Sequence, residues 1–104
     1  MKILTTGHRY ELASFEDGPP QTLQFIEKIP SSPRPGTTTL ETVNNGTTNE
    51  EVLTVLIDRL LYLHNKFPCH ENALVITKLE ESLMWLNKRT ADRLARNVEG
   101  KATA

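Results

Sequence analysis

Two arginines near the C-terminal end of the chain have the residue type and spacing of an anion site. Arg89 and Arg93 are four positions apart, so a helix would present both guanidinium groups on one face. Paired planar guanidiniums match the oxygens of a phosphate bidentately. The alternative interpretation is that cations near a helix C-terminus favour its dipole, at about 0.3–1 kcal/mol each. Spacing alone does not decide between the two.

Tyr62 and Asn72 favour the ligand-binding interpretation of this cluster. Both residues lie close to a predicted turn between two helices. A tyrosine ring offers a face on which a base can stack, and an asparagine amide can read a base or sugar edge. The four side chains together indicate a site for a ligand that carries both a ring and a phosphate.

Other chemistry finds little support in the sequence. Cys69 and His70 are adjacent, but one such pair is weak evidence for a thiol nucleophile, and a free cysteine more often serves as a small buried hydrophobe. Glu80 and Glu81 face away from the apolar stripe and indicate a solvated surface. The three histidines and one cysteine lack a zinc-ligand spacing. We therefore predict no catalytic residue, no metal site and no cofactor.

The composition limits the partners of the chain. Its 104 residues suit one domain, and twelve basic against thirteen acidic residues give a net charge of -1, which disfavours binding to a DNA or RNA polymer. No apolar run approaches the roughly 20 residues that span a bilayer, so we expect no membrane association. A single cysteine fits a reducing cytosol. With 6% aromatic residues the core should be small, which favours association with a second copy.

The N-terminal part, residues 1–43, alternates short apolar and polar stretches and predicts a small antiparallel sheet. Thr6 and Gly7 form a predicted hairpin turn, and Arg9 should point outward from the second strand. A third strand is predicted over 21–29. The prolines of 30–36 end it, and 37–43 should form an edge strand.

Residues 48–96 predict two antiparallel helices. Thr48 and Glu51 have the spacing of a capping box, and Pro68 separates a first helix ending near Asn65 from a second that begins near His70 and extends to about Arg96. Apolar residues recur at three- and four-residue steps on both helices: Val52, Leu53, Leu56, Ile57, Leu60 and Leu63, then Ile76, Leu79, Leu83 and Leu86. The predicted fold class is α+β in a single domain, with a loose tail over 97–104.

The length of the second helix limits which residues of one chain can contact the same ligand. Seventeen residues separate Asn72 from Arg89, about 25 Å of helix, so one chain cannot close both ends around one small ligand. Two hairpins packed head to tail about a two-fold axis would join the turn end of one to the far end of the other, giving two equal pockets.

Several longer motifs resemble those of a known family, the phage anti-defence sponges: anti-Thoeris proteins whose helical hairpin is shared with the anti-CBASS sponges of tailed phages. The motifs are NGTTNEEV (45–52), FPCHENA (67–73), ITKLEE (76–81), MWLNKRTADR (84–93) and VEGK (98–101), and the pattern from Tyr10 to Lys28 extends the likeness over nearly the whole chain.

The resemblance implies binding without catalysis. Members sequester cyclic ADP-ribose isomers made by bacterial TIR enzymes and, in some cases, cyclic di- or trinucleotides, as dimers or as hexamers built from dimers. It implies that Tyr62 stacks on the ligand, that Asn72 is the pocket amide, and that Arg89 and Arg93 bind phosphate. Arg9 is a weaker candidate for a further phosphate contact. Such a protein would act in the cytoplasm of an infected bacterium.

Two departures from the family pattern bear on the ligand. Tyr62 stands where phenylalanine is usual, which keeps the stacking face. His70 stands where many relatives have arginine, and an imidazole near neutral pH is a poor substitute for a guanidinium, which puts a second cyclic-oligonucleotide pocket in doubt.

Two other functions compete with the sponge. One is an adaptor that docks a host protein through its apolar hairpin, with Arg89 and Arg93 as surface charges. The other is an enzyme that degrades the nucleotide, for which the sequence offers no visible base, metal site or nucleophile.

Overall fold

The computed structural model describes residues 1–31, 39–102 and 104, and it confirms the predicted α+β class. In this described part of the chain, five strands precede two helices. The strands are β1 (Lys2–Thr5), β2 (Arg9–Leu12), β3 (Gln21–Gln24), β4 (Glu27–Pro30) and β5 (Leu40–Asn44), and the helices are α1 (Asn49–Lys66) and α2 (His70–Ala95).

The first three strands form an antiparallel sheet in chain order. The predicted hairpin turn joins β1 to β2, and Gly7 there has a φ of 78°, a left-handed conformation that glycine adopts without steric cost. Tyr10 lies opposite Ile3 on one side and Leu23 on the other. The ring of Tyr10 also meets Phe25 edge to face, with 6.0 Å between the ring centroids.

The strands form two sheets instead of the single one predicted, because the strand predicted over 21–29 is interrupted. The amide of Ile26 donates to the carbonyl of Thr47 at 2.9 Å, and the amide of Thr47 donates to the carbonyl of Gln24 at 2.8 Å. This pairing turns the chain out of the first sheet, after which β4 pairs antiparallel with β5. The predicted edge strand is confirmed for residues 40–43, whereas its first two residues and the turn at 32–36 lie outside the described residues.

Gly46 makes the approach of Thr47 to the sheet sterically possible. A Cβ atom at position 46 would lie 2.5 Å from the carbonyl oxygen of Gln24 and 2.6 Å from the carbonyl carbon of Phe25. Both are backbone atoms that the strand pairing holds in place. Only a residue without a side chain therefore fits here.

Both helices begin where the sequence predicts. The hydroxyl of Thr48 accepts a hydrogen bond of 3.1 Å from the amide of Glu51, which satisfies one of the unpaired amides of the first turn. The two helices end within one residue of the predicted positions. Residues 67–69 connect them, so the helices run antiparallel as expected.

The helices pack along one seam. Ile76 is its buried centre, at 7% exposure, and half-buried side chains surround it: Val52, Leu53, Ile57, Leu60, Leu63, Leu79, Leu83 and Leu86. Leu56, also predicted for this stripe, is exposed. Within the described residues, neither helix is both long and apolar enough to cross a membrane.

The chain after α2 folds back toward the second sheet. The amide of Leu40 donates to the carbonyl of Gly100 at 2.9 Å, and Thr39 and Lys101 form an isolated antiparallel bridge. The loose tail that the sequence predicts over 97–104 does not include these bonds. They connect the far end of the helical hairpin to β5.

Replacing Gly46 with alanine should destabilise the fold. We expect Gly46→Ala to lower the free energy of unfolding by about 1–3 kcal/mol, the usual cost of overpacking, in urea titrations at fixed protein concentration. Gly18→Ala is the matched control, because the nearest heavy atom to its added Cβ would be 3.9 Å away. Equal stability of the two variants would contradict the close approach.

Candidate functional site

Tyr62 presents its ring on the outer side of the hairpin, near the turn between the helices. Its side chain is 53% exposed and does not belong to the seam. The ammonium group of Lys66, one helical turn further along α1, lies 4.7 Å from the ring centroid. The ring is thus accessible for stacking and already has a cation beside it.

Asn72 lies at the same end of the hairpin, in the first turn of α2. Its side chain is half-buried and forms no hydrogen bond with another described residue. Its backbone amide donates to Cys69 Sγ at 3.4 Å, so the sulfur caps α2. The interpretation of Cys69 as a small buried hydrophobe is wrong, because the thiol is exposed and serves the helix terminus.

The connection between the helices is further ordered by His64. The amide of Cys69 donates to His64 Nδ1 at 3.4 Å, and the amide of Phe67 donates to the carbonyl of Leu63 at 3.0 Å. These bonds fix the path of the turn that separates Tyr62 from Asn72. They leave both side chains at one end of the molecule.

Arg89 lies on the outer surface of α2, toward the far end of the hairpin. It borders a shallow depression of about 230 Å³ whose other lining residues are Trp85, Lys88, Asp92 and Arg96. Lys88 is paired with Asp92 at 2.9 Å, whereas Arg89 has no carboxylate partner among the described residues. The guanidinium of Arg89 therefore remains available for an anion, with the exposed indole of Trp85 beside it.

Arg93 occupies a different environment from Arg89. It is 4% exposed, and its Nε donates to Glu99 Oε2 at 3.1 Å. Its Nη2 donates to the carbonyls of Val98 and Lys101, each at 2.9 Å. The structure thus does not bring the two guanidiniums onto one open surface, and in this chain Arg93 holds the segment that follows α2.

That segment can wrap around Arg93 because two residues reverse the backbone. Asn97 has a φ of 58° and Gly100 a φ of 80°, both in the left-handed region that suits these residue types. The carbonyls of residues 98 and 101 then converge on one guanidinium. A ligand role for Arg93 stays a prediction.

The remaining candidate, Arg9, is exposed on β2 opposite Gln24. It belongs to the first sheet and not to the hairpin. Since α2 is a continuous helix from Asn72 to Arg89, the structure places Tyr62 and Asn72 at the same end of the hairpin and keeps both apart from Arg89.

Sequence reasoning missed three side chains at these two ends: Lys66, Trp85 and Arg96. Lys66 is four residues after Tyr62, Trp85 is four residues before Arg89, and Arg96 is three residues after Arg93. Neighbours at this spacing share a helix face. The same periodicity that paired Arg89 with Arg93 could therefore have identified them.

Other features are less suited to a nucleotide. A cavity of about 450 Å³ beside the seam is lined by Thr54, Ile57, Glu80, Leu83, Met84 and Asn87, and it offers no cation to a phosphate. Within the described residues, no group of three or more His, Cys, Asp or Glu side chains is placed to hold a metal ion.

Comparison with known proteins gives two matches. The family model described as "Acb2/Tad1, hairpin domain" matches residues 24–91, well over half of the chain. The protein named "Thoeris anti-defense 1" of Bacillus phage SBSphiJ7 is 60% identical over 57 residues, which cover 54% of this chain and 40% of that relative. The chain thus matches less than half the length of the relative.

The burial of Arg93 predicts a stability difference between the two arginines. Arg93→Ala should lower the free energy of unfolding by about 1–3 kcal/mol, because it leaves the half-buried carbonyl groups of Val98 and Lys101 without this donor. Arg89→Ala should remain within about 0.5 kcal/mol of the parent, as is usual for an exposed residue. Chemical denaturation of both variants measures this. An unchanged stability for Arg93→Ala would show that its contacts do not hold the C-terminal turn.

Proposed function

The chain belongs to the Acb2/Tad1 hairpin-domain family, and from this membership we propose that it is a phage anti-defence protein that binds and sequesters signalling nucleotides. The proposed ligand is a cyclic ADP-ribose isomer made by a bacterial TIR enzyme, with cyclic di- or trinucleotides as further candidates. The relative named for Thoeris anti-defence supports this choice. The proposed place of action is the cytoplasm of the infected bacterium.

One observation carries the proposal: an accessible aromatic ring and a half-buried amide share one end of the hairpin, while a guanidinium without a carboxylate partner among the described residues lies at the other. Tyr62 would stack on the base, and Asn72 would hydrogen-bond its edge or the sugar. Arg89 would bind the pyrophosphate with charge-assisted hydrogen bonds. Arg93 and Arg9 are proposed as further phosphate contacts. For Arg93 this requires its guanidinium to exchange internal partners for the ligand.

We propose that two chains complete each pocket. About 25 Å of helix separates Asn72 from Arg89, so the two ends meet only if a second hairpin packs head to tail. Large apolar side chains on the outer faces of the hairpin would be covered in such a dimer: Val55, Leu61, Leu74, Val75, Met84 and Trp85 are all exposed in the single chain. The dimers in turn are candidates for assembly into a hexamer.

The proposed interaction includes no chemical step. Stacking, amide hydrogen bonds and guanidinium pairs all act on the intact ligand, and the residues assigned to it include neither a nucleophile nor a general base. A protein of this kind acts by lowering the free concentration of the signal. Its effect therefore depends on having as many pockets as there are signal molecules.

A second candidate function is an adaptor that docks a host protein. The exposure of Met84, Trp85 and Leu94 on α2 favours it, because large exposed apolar side chains mark interaction surfaces. In that case Arg89 would be a surface charge, and no nucleotide would be retained.

Release of intact ligand separates these functions. The protein is incubated with a cyclic ADP-ribose isomer, freed of excess ligand by gel filtration, denatured by heat and analysed by chromatography. We expect unmodified ligand in an amount equal to the number of pockets. A hydrolysed product would indicate an enzyme, and the absence of any nucleotide would favour the adaptor.

Variants of Tyr62 and Arg89 test the pocket. Arg89→Ala should weaken binding at least tenfold, since a hydrogen bond to a charged group contributes roughly 1.5–3 kcal/mol. Tyr62→Ala should cost about 1–3 kcal/mol of stacking, and Tyr62→Phe should cost little. Calorimetry measures the affinities, and far-UV spectra confirm that each variant folds.

A mixture of the two alanine variants then tests whether the pocket spans two chains. If each pocket takes Tyr62 from one chain and Arg89 from the other, a heterodimer of Tyr62→Ala and Arg89→Ala chains has one intact pocket and one doubly defective pocket. Binding should recover to about one ligand per heterodimer. No recovery after verified subunit exchange would exclude the shared pocket.

A further inference from the structure

Tyr62 lies between two cations on the outer face of α1. Lys66 is one turn after it, with its ammonium 4.7 Å from the ring centroid. Arg59 is three residues before it, close to one turn earlier, so helical spacing places all three side chains in one stripe. All three are exposed. The stripe, Arg59–Tyr62–Lys66, therefore combines a stacking surface with two positive charges.

The positive charges of this stripe are not paired with a carboxylate of any described residue. Among the described residues, Lys88 has Asp92 as its ion-pair partner and Arg93 has Glu99, whereas neither Arg59 nor Lys66 has a carboxylate partner. A cation without such a partner can approach an anion without first breaking an ion pair. The stripe thus has positive charge to offer a ligand that rests on the ring.

The contact between Lys66 and Tyr62 also restricts where a ligand can stack. An ammonium above a tyrosine ring is attracted by the negative face of the π system. It therefore covers that face, and a base that stacks while this contact persists would use the opposite one. A phosphate attached to the base through a sugar would then lie at the edge of the ring, within reach of the long lysine side chain.

Building on the proposed function, we propose that Lys66 and Arg59 are additional ligand-binding residues, which contact the phosphate groups of the nucleotide whose base stacks on Tyr62. The turn end of the hairpin then binds both base and phosphate. Arg89 of the second chain would add its guanidinium from the other side of the same anion. The ligand class is a nucleotide with a pyrophosphate, not a neutral nucleoside.

Position near the end of α1 suggests another role for Lys66. A cation in the last turn of a helix interacts favourably with the unpaired carbonyl groups there. That role would make Lys66 contribute to the stability of α1 but not to the discrimination between charged and neutral ligands. The two roles therefore differ in a measurable quantity, the affinity for a nucleotide relative to that for adenosine.

The test compares Lys66→Met with the parent for two probes, a cyclic ADP-ribose isomer and uncharged adenosine, by calorimetry. We expect the variant to bind the nucleotide about tenfold more weakly, as for loss of a charge-assisted hydrogen bond, and to bind adenosine within about twofold of the parent. Lys66→Arg should retain most of the nucleotide affinity. Arg59→Met should show the same selective loss as Lys66→Met.

Lys78→Met is the matched control, because Lys78 is exposed on α2 and has no place in the proposed site. It should leave both affinities unchanged. The parent should also lose nucleotide affinity as salt concentration rises, and Lys66→Met should lose less, since it has one phosphate contact fewer. Thermal melting of each variant confirms that the fold persists.

The outcomes separate this proposal from the proposed function. If the parent binds neither probe, the proposed function fails and this proposal fails with it. If the parent binds the nucleotide and Lys66→Met binds it equally well, or loses adenosine to the same extent, only the assignment of Lys66 is overturned. A similar loss in Lys78→Met would also overturn it, because the effect would then be one of general charge.

Discussion

Two helices packed side by side bury only the side chains along their common seam, and this limit governs the rest of the molecule. A third layer would normally cover the outer faces of such a pair. Here the seam has one buried apolar side chain, Ile76. Large apolar residues elsewhere on the hairpin remain exposed. The outer faces are consequently free to bind a ligand and a second hairpin, and a site built on them need not displace any part of the core.

Different contacts stabilise the two ends of the hairpin. At the turn end, Cys69 caps α2 with its sulfur, a small group that leaves the surroundings of Tyr62 open. At the far end, Arg93 donates hydrogen bonds to the segment that follows α2. Gly100 in this segment accepts a hydrogen bond from the first residue of β5. These two ends suit the proposed head-to-tail arrangement, because the exposed guanidinium of Arg89 at one end could then meet the exposed ring of Tyr62 at the other.

The helices could be predicted from the sequence because their signals are local. Thr48 and Glu51 lie within one helical turn, and the apolar stripe repeats every three to four residues. The break between β3 and β4 depends on Thr47, more than twenty residues after Gln24 in the chain, and such a pairing leaves no periodic signal. Likewise, the four-residue spacing predicts that Arg93 and Arg89 share one open helix face, which the structure does not show. The backbone reversal at Asn97 and Gly100 that buries Arg93 arises from residues outside the helix, so a pattern confined to the helix could not reveal it.

The net charge of the whole chain and the charge near a single site predict different binding partners. A net charge of -1 argues against a polymer of phosphates, yet it does not argue against one nucleotide, because a small ligand senses charges within about one Debye length, roughly 8–10 Å. What matters at that distance is which cations already have a carboxylate partner. Lys88 and Arg93 have one, which lowers the positive charge that they present to an outside anion. Arg59, Lys66 and Arg89 have none among the described residues. Exposed cations elsewhere, such as Lys78, also lack a carboxylate partner among the described residues. What distinguishes Arg59, Lys66 and Arg89 is therefore their position beside an aromatic ring, that of Tyr62 or that of Trp85.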